Sequence, residues 1–277
     1  MSTWLAALVL WALAVPAAVA QPTLADLPYG SEPRQSVDVY LPAQPRGPIL
    51  VMVHGGAWMA GHKRLPAVVD AKLQHWVREQ GWILVSVGYR LVPQVQVPQQ
   101  GEDVARAIAL VQARAAGWGG DPGQLLLMGH SAGAHLVALA SASPQLLHQA
   151  GARPWRGTVV LDSAALDTTA LMQRRHLRFY DRAFGGDPAV WRAASPTDAL
   201  GAGPPPMPLL LVCSQPRGDG SCAQSQQFAA RVRALGGQAQ VLEQPLDHHQ
   251  INAELGSPGA YTRAVDAFIA SLGLARP

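Results

Sequence analysis

Short apolar runs alternate with segments of helical periodicity along most of the chain. The run at 48–53 has no polar side chain, which is typical of a strand buried on both faces of a sheet. The pattern predicts strands at 35–41, 48–53, 82–87, 124–128, 157–161, 208–213 and 238–243, and helices at 66–80, 100–116, 131–142, 222–235 and 258–272. This alternation indicates an α/β fold whose mostly parallel central sheet carries helices on both faces.

One connection in this pattern is long. The segment 164–196 exceeds the usual length of a loop between elements. We expect it to form helices over the edge of the sheet, as a small lid insertion. Pro204-Pro205-Pro206 then returns the chain to the next strand.

Composition narrows the class of protein. Of the 277 residues, 14% are charged and 49% are hydrophobic, whereas an average soluble chain is about 25% charged. Large buried surfaces are therefore expected, and a disordered, coiled-coil or collagen-like protein is excluded. The net charge is +3, and no basic run is longer than Lys63-Arg64 or Arg174-Arg175. The sequence thus gives no sign of a nucleic-acid surface.

The first twenty residues form a separate unit. Residues 1–20 contain no charged side chain, an apolar core at 4–15, and Ala18-Val19-Ala20 as an A-x-A cleavage site. This pattern predicts a secretory signal peptide cut before Gln21, which leaves one mature domain at 21–277. The alternatives are a membrane anchor or a core helix. No later stretch approaches 18 apolar residues, so we expect a mature protein without a stable membrane anchor, in the periplasm or the medium.

The predicted export bears on the redox state of the two cysteines. Cys213 and Cys222 are the only cysteines of the chain, and in an oxidising compartment such a pair tends to be joined. We therefore expect a disulfide; two free thiols are the alternative. The sequence shows no C-x-x-C and no Cys/His cluster with metal-binding spacing, so no metal is expected.

A G-x-S-x-G pattern marks the candidate nucleophile. Gly129-His130-Ser131-Ala132-Gly133 lies between an apolar strand and an alanine-rich helix, as a nucleophile elbow requires. The flanking glycines let strand and helix approach closely, so the hydroxyl of Ser131 is exposed above the sheet. A serine that merely caps a helix is the alternative.

A second glycine-rich loop follows the strand at 48–53. In His54-Gly55-Gly56-Ala57-Trp58, the glycine pair leaves backbone N–H groups free to face an oxyanion. We expect the N–H groups of Gly56 and Ala57, together with that of Ala132, to form an oxyanion hole. His54 is expected to fix the loop by hydrogen bonds. A plain glycine-rich turn is the alternative.

The serine needs a histidine base, and the base needs an acid. In a fold of this kind the chain order is Ser, acid, His. Only His248 and His249 lie beyond the last predicted strand. Asp219 is the one acidic residue between the strand at 208–213 and the next helix, and it is the expected acid. Asp198, before that strand, is the alternative; Asp247 is expected to face away or to brace the loop of the base.

These motifs resemble the α/β-hydrolase family, in particular its esterase and lipase group with H-G-G-x-W and G-H-S-A-G. Gly119-Gly120-Asp121-Pro122 and Tyr89-Arg90-Leu91-Val92-Pro93 resemble the same family, and the resemblance covers roughly residues 37–272. Family chains often read D-H-x-x-I after the last strand. Here the matching residues are 247–251, which favours His248 as the base. The loop at 214–221, between the two cysteines, departs from the family pattern.

The resemblance implies a serine carboxylic-ester hydrolase that forms an acyl-enzyme on small esters and needs no cofactor. Carboxylesterases, feruloyl-type esterases and arylformamidases belong to the same group. Trp58, His130 and His176 are candidate substrate contacts, the last of them on the lid. The rival hypotheses are an amidase or arylformamidase with the same triad, and a binding protein of this fold without catalysis. The oligomeric state is left open.

Overall fold

A computed structural model describes residues 20–201, 203 and 205–274 of the chain. Apart from Ala20, the predicted signal peptide lies outside the described residues. Eight strands form one sheet in the order β1-β2-β4-β3-β5-β6-β7-β8. They are β1 Leu24–Pro28, β2 Ser36–Tyr40, β3 Ile49–Val53, β4 Ile83–Val87, β5 Leu125–His130, β6 Gly157–Leu161, β7 Leu209–Ser214 and β8 Ala239–Gln244. Strand β2 pairs antiparallel with β1 and β4, and the other neighbours are parallel.

The sequence pattern located every strand except β1. Leu24–Pro28 is a short edge strand in which each residue keeps some exposure. It therefore lacks the continuous apolar run that marks the central strands. By contrast, all residues of β3 are buried.

Helices cover the sheet on both faces. They are α1 Pro66–Lys72, which continues as a π-helical segment Leu73–Glu79, α2 Val97–Arg114, α3 Ala132–Ala142, α4 Pro144–Ala150, α5 Thr168–Gln173, α6 Arg178–Phe184, α7 Pro188–Ala194, α8 Pro196–Ala199, α9 Ser221–Ala234, α10 His248–Ala253 and α11 Ala260–Ser271. In the described part of the chain, no helix combines the length and the apolar character that a membrane crossing requires.

The core consists of two apolar clusters, one on each face of the sheet. Along β3, Ile49, Val51 and Val53 point into one cluster, while Leu50 and Met52 point into the other. Because successive side chains of a strand alternate between faces, a strand covered on both sides must be apolar at every position. This explains the uninterrupted run at 48–53.

The segment 164–196, here called the lid, is helical as expected and contains α5, α6 and α7. It packs on the glycine-rich loop that follows β3. The ring of Trp58 lies 6.0 Å from Tyr180 and 4.7 Å from Phe184 between centroids. The lid is therefore anchored beside the carboxyl ends of the central strands, where the candidate site lies.

Candidate active site

Ser131 occupies a sharp turn between β5 and α3. Its backbone has φ 57° and ψ −117°, an unfavourable conformation for a residue with a side chain. Two glycines make the turn possible: a Cβ on Gly129 would meet the carbonyl oxygen of Gly133 at 2.4 Å, and one on Gly133 would meet that of Val53 at 2.2 Å. The motif thus forms the predicted elbow, and the hydroxyl of Ser131 faces a cavity.

The glycine-rich loop after β3 lines the same cavity. Ala57 and Trp58 both have positive φ values, 50° and 63°, a conformation that non-glycine residues adopt mainly where surrounding structure enforces it. Among the hydrogen bonds of the described residues, none uses the backbone N–H of Gly56 or Ala57. These N–H groups, with that of Ala132 at the first turn of α3, are available to an oxyanion.

His54 fixes this loop, as the sequence suggested. Its Nδ1 donates to the carbonyl of Gly55 at 2.7 Å, and its ring stacks on Tyr89 at 4.4 Å. The hydroxyl of Tyr89 in turn donates to the carbonyl of His54. Burial lowers the pKa of His54 to about 4, so the ring is neutral near pH 7.

His248 is the histidine that reaches Ser131. It opens α10 directly after β8, and its Nε2 lies 2.9 Å from Oγ of Ser131. Asp247 caps the same helix by accepting from the N–H of Gln250 at 2.8 Å, which is the bracing role expected for it. His249 lines the cavity but forms no bond to Ser131 within the described chain.

The acid on His248 is Asp162, so the expectation that Asp219 fills this place is wrong. Oδ2 of Asp162 lies 2.6 Å from Nδ1 of His248. Asp219 instead directs both carboxylate oxygens at the guanidinium of Arg217. The alternative Asp198 accepts from Thr169 Oγ1 and, among the described residues, forms no bond to His248.

The position of Asp162 has a topological cause. It directly follows β6, and β6 pairs with β5, which ends at the turn of Ser131. The carboxyl ends of parallel neighbours meet at one edge of the sheet. The backbone N–H of Ser131 accordingly donates to the carbonyl of Leu161 at 2.9 Å. An acid immediately after the buried run at 157–161 was the sequence signal for this residue.

The carboxylate of Asp162 is fully buried and has four donors. Oδ1 accepts from the backbone N–H of Ser214 at 2.9 Å and from Ser221 Oγ at 2.6 Å, while Oδ2 accepts from Arg217 Nη1 at 2.9 Å and from His248. Burial alone would raise the pKa of this carboxyl. The hydrogen bond from His248, the charge of Arg217 and the bonds from Ser221 and Ser214 outweigh burial and hold the pKa far below its ordinary value. The carboxylate is therefore ionised near neutral pH.

Three of these four donors come from the loop at 214–221. Arg217 also donates to the backbone carbonyl of Asp162 at 3.0 Å, and Asp219 fixes the orientation of the guanidinium from its other side. The ends of this loop are joined by a disulfide between Cys213 and Cys222, whose Cα atoms are 5.1 Å apart. The disulfide thus restrains the loop whose residues bind the carboxylate of Asp162.

The three candidate substrate contacts have different surroundings. Trp58 is buried, donates from Nε1 to His135 Nδ1 at 3.1 Å and lines the cavity. His130 also lines it, but its Nε2 donates to the carbonyl of His248 at 2.8 Å, so it supports the turn of that histidine. Burial and the neighbouring His248 lower the pKa of His130 to about 3. His176 does not line this cavity; it lies at an adjacent one.

The cavity above Ser131 has a volume of about 1020 Å³. Its walls come from the glycine-rich loop, the start of α1, the lid and the loop of Arg217. The lid contributes Ala164, Leu177, Phe179 and Tyr180. Ser131, His248 and Asp162 are therefore linked by hydrogen bonds, and all three line an open, largely apolar cavity.

The sequence is similar to those of several esterases. A family model described as BD-FAE matches residues 37–155. Esterase LipQ of Mycobacterium tuberculosis is 34% identical over 244 residues, covering 81% of this chain and 56% of that protein. Isoprenylcysteine alpha-carbonyl methylesterase ICME of Arabidopsis thaliana is 37% identical over 114 residues, covering 40% of this chain and 26% of that protein. The chain thus spans between a quarter and somewhat more than half of these relatives.

Solved structures share the fold over almost the whole chain. Thermogutta terrifontis esterase 2, phosphonylated by sarin, superposes with a TM-score of 0.75 at 21% identity and covers 93% of this chain and 98% of its own. Esterase B from Lactobacillus rhamnosis gives a TM-score of 0.72 at 20% identity, covering 90% of this chain and 84% of its own. At this level of identity, the likeness is one of architecture.

Proposed function

Since the chain belongs to the α/β-hydrolase esterase group, we propose that it is a serine carboxylic-ester hydrolase acting through Ser131, His248 and Asp162. The observation that carries this proposal is the hydrogen-bonded row itself: 2.9 Å from Ser131 Oγ to His248 Nε2, and 2.6 Å from His248 Nδ1 to Asp162. The similarity to LipQ supports ester hydrolysis as the activity.

In the first half of the reaction, Asp162 accepts the Nδ1–H of His248, which leaves Nε2 free to take the proton of Ser131. The serine oxygen attacks the ester carbonyl, and the C=O electron pair moves onto the carbonyl oxygen. The N–H groups of Gly56, Ala57 and Ala132 stabilise that oxyanion. The imidazolium then protonates the alcohol oxygen as the C–O bond breaks, which leaves an acyl group on Ser131.

In the second half, His248 takes a proton from water, whose oxygen attacks the acyl carbonyl. Collapse of the second tetrahedral intermediate returns the serine oxygen, which recovers its proton from the imidazolium, and the carboxylic acid departs. The ionised Asp162 stabilises the imidazolium in both halves.

A fluorophosphonate probe tests the nucleophile directly. We expect one adduct per chain, located on Ser131 by peptide mass spectrometry, and loss of 4-nitrophenyl ester hydrolysis in the labelled protein. Ser131→Ala should lower kcat by about 10⁴-fold or more and take no label. Ser143→Ala is the matched control, because Ser143 caps α4 away from the site. Labelling elsewhere, or a tenth of the activity in Ser131→Ala, would refute the assignment.

We propose further that the acyl group is short. Four lid residues, Ala164, Leu177, Phe179 and Tyr180, line the cavity, whereas a long acyl chain needs an extended apolar wall. The Thermogutta esterase has been solved with propionate and with butyrate bound. A series of 4-nitrophenyl esters from acetate to palmitate should give its highest kcat/KM at short chains. A maximum at long-chain esters contradicts the proposal, and faster turnover of matched N-formyl arylamines would favour the formamidase alternative.

Finally, we propose that the protein is exported, as the pattern at 1–20 predicts. A compartment that allows disulfides suits the Cys213–Cys222 pair. Expression of the full chain, followed by cell fractionation and N-terminal sequencing, should give a protein outside the cytoplasm that begins at Gln21. An uncleaved chain in the cytoplasm would contradict export.

A further inference from the structure

A second cavity opens beside the one above Ser131. It has a volume of about 810 Å³. Leu177, Tyr180, Arg217 and Asp219 line both cavities. The remaining walls of the second cavity come from the lid and from Gly218 and Gly220. The two cavities are therefore adjacent, and a substrate bound at Ser131 can extend from the first cavity into the second.

The lid side of this second cavity is strongly basic. Residues 174–182 contain four arginines and one aspartate. The net charge of this segment is therefore +3, the same as that of the whole chain. Two of these arginines, Arg174 and Arg175, line the cavity. The single aspartate, Asp181, already accepts from His176 Nε2 at 2.9 Å.

Arg174 and Arg175 carry charges for which the described residues provide no ion-pair partner. Within the described residues, no ion pair or side-chain hydrogen bond engages either guanidinium. Arg217, which also lines the cavity, differs because Asp219 and Asp162 compensate its charge. His176 uses both ring nitrogens within the lid, because they face the carbonyl of Arg174 and the carboxylate of Asp181. Asp219 is the one acidic side chain among the cavity's lining residues.

We propose that this cavity is an anion subsite and that the preferred substrates are esters carrying a carboxylate a few bonds from the reacting carbonyl. The inference rests on the proposed esterase function. A guanidinium pairs with a carboxylate through two parallel N–H···O bonds, and two neighbouring arginines can hold one carboxylate. The apolar side chains of Leu171, Leu177 and Tyr180 would contact the carbon segment between the two groups.

Matched ester pairs test the subsite. For a carboxylate on the acyl side, 4-nitrophenyl hydrogen glutarate is compared with 4-nitrophenyl pentanoate. For one on the alcohol side, 4-carboxyphenyl butyrate is compared with 4-carbamoylphenyl butyrate. We expect kcat/KM to favour the anionic ester at least tenfold in one pair at low ionic strength, and the preference to shrink in 0.5 M NaCl.

Two double variants distinguish an effect of the subsite on kcat/KM from an effect of the overall positive charge of the lid. Arg174→Gln/Arg175→Gln should reduce the anionic-to-neutral ratio of kcat/KM at least tenfold. Arg182→Gln/Arg192→Gln removes the same charge from lid positions that line neither cavity, and it should keep the wild-type ratio. A wild type that prefers the neutral ester in both pairs overturns the proposal, as does an equal loss of the ratio in both variants.

Fluorophosphonate labelling keeps the two hypotheses distinguishable. If Ser131 is labelled and neutral esters are hydrolysed without any anionic preference, the proposed function stands and the subsite fails. If Ser131 is not labelled and no ester is hydrolysed, the proposed function fails, and the substrate class fails with it.

Discussion

Oδ2 of Asp162 lies 2.6 Å from Nδ1 of His248, although 86 positions separate the two residues in the chain. The contact joins the end of β6 to the helix that follows β8. It fixes which ring nitrogen carries the proton, and therefore which one can accept a proton from Ser131.

This contact predicts which aspartate catalysis depends on. Asp162→Asn should lower kcat by about 10³- to 10⁴-fold, because an amide at this position cannot stabilise the imidazolium. Asp219→Asn leaves the carboxylate of Asp162 in place and should cost less than tenfold. Steady-state kinetics on a short neutral ester measures both. A dead Asp219→Asn beside an active Asp162→Asn would reverse the assignment.

The structure also predicts which of the adjacent histidines, His248 or His249, is the catalytic base. His248→Ala removes the only imidazole bonded to Ser131 among the described residues and should lower kcat by about 10⁴-fold or more. His249→Ala changes an exposed side chain of the cavity wall and should change kcat by less than fivefold. Circular dichroism of both variants controls for folding. If His249→Ala is the inactive protein, the register of this segment is wrong by one residue.

Arg217 is predicted to act by positioning Asp162. Arg217→Gln removes a donor to both the side chain and the backbone carbonyl of Asp162, so kcat on a neutral ester should fall on the order of tenfold with KM little changed. Arg217→Lys keeps the charge but only one donor nitrogen, and it should recover part of the loss. Equal kcat in all three proteins would show that Arg217 has no such role.

The disulfide should support both stability and rate. It closes a loop of about ten residues, and the chain-entropy model gives a stabilisation on the order of 2–3 kcal/mol for loops of this size. The same loop supplies Ser214, Arg217 and Ser221 to Asp162. Cys213→Ser/Cys222→Ser should therefore lower Tm and kcat together. Alkylation of the unfolded, unreduced protein checks the bond itself: two labelled thiols per chain would show that the bridge is absent.

Lys72 predicts a pH dependence of stability. Its side chain is buried on α1 and donates to the carbonyl of Asn252, and burial lowers its pKa from 10.5 to about 7. Between pH 7 and 10 the unfolded chain therefore binds more protons at this site than the folded one. The contribution of Lys72 to the free energy of unfolding then rises with pH, by up to about 1.4 kcal/mol per pH unit.

The variant Lys72→Met isolates this contribution. Denaturant titrations at several pH values should show that the difference in stability, variant minus wild type, decreases between pH 7 and pH 9.5. The subtraction removes the other titrating groups, provided that both proteins unfold in two states. A difference that is constant over this range would mean that Lys72 keeps its ordinary pKa in the folded protein.

The local pattern of the sequence determined the fold class and the nucleophile. Strands such as β3 are recognisable because burial on both faces requires an apolar residue at every position. The elbow is recognisable because a Cβ at either of its two glycines would clash with backbone atoms. The edge strand β1 escaped notice since its residues are only partly buried. The helix α10 also went unnoticed, because its six residues show no helical periodicity.

Only the tertiary structure decided which acid serves His248. Asp162 directly follows the buried strand β6, and Asp219 lies in the loop after the buried strand β7, so the strand pattern alone admits either of them as the acid. The order of strands in the sheet places β6 directly beside β5, and the loop after β7 turns Asp219 towards Arg217 instead. Similarly, the sequence shows four arginines in residues 174–182, but not that two of them line a cavity next to Ser131. Local rules fix the elements and the turns, whereas contacts between distant residues depend on how the sheet is assembled.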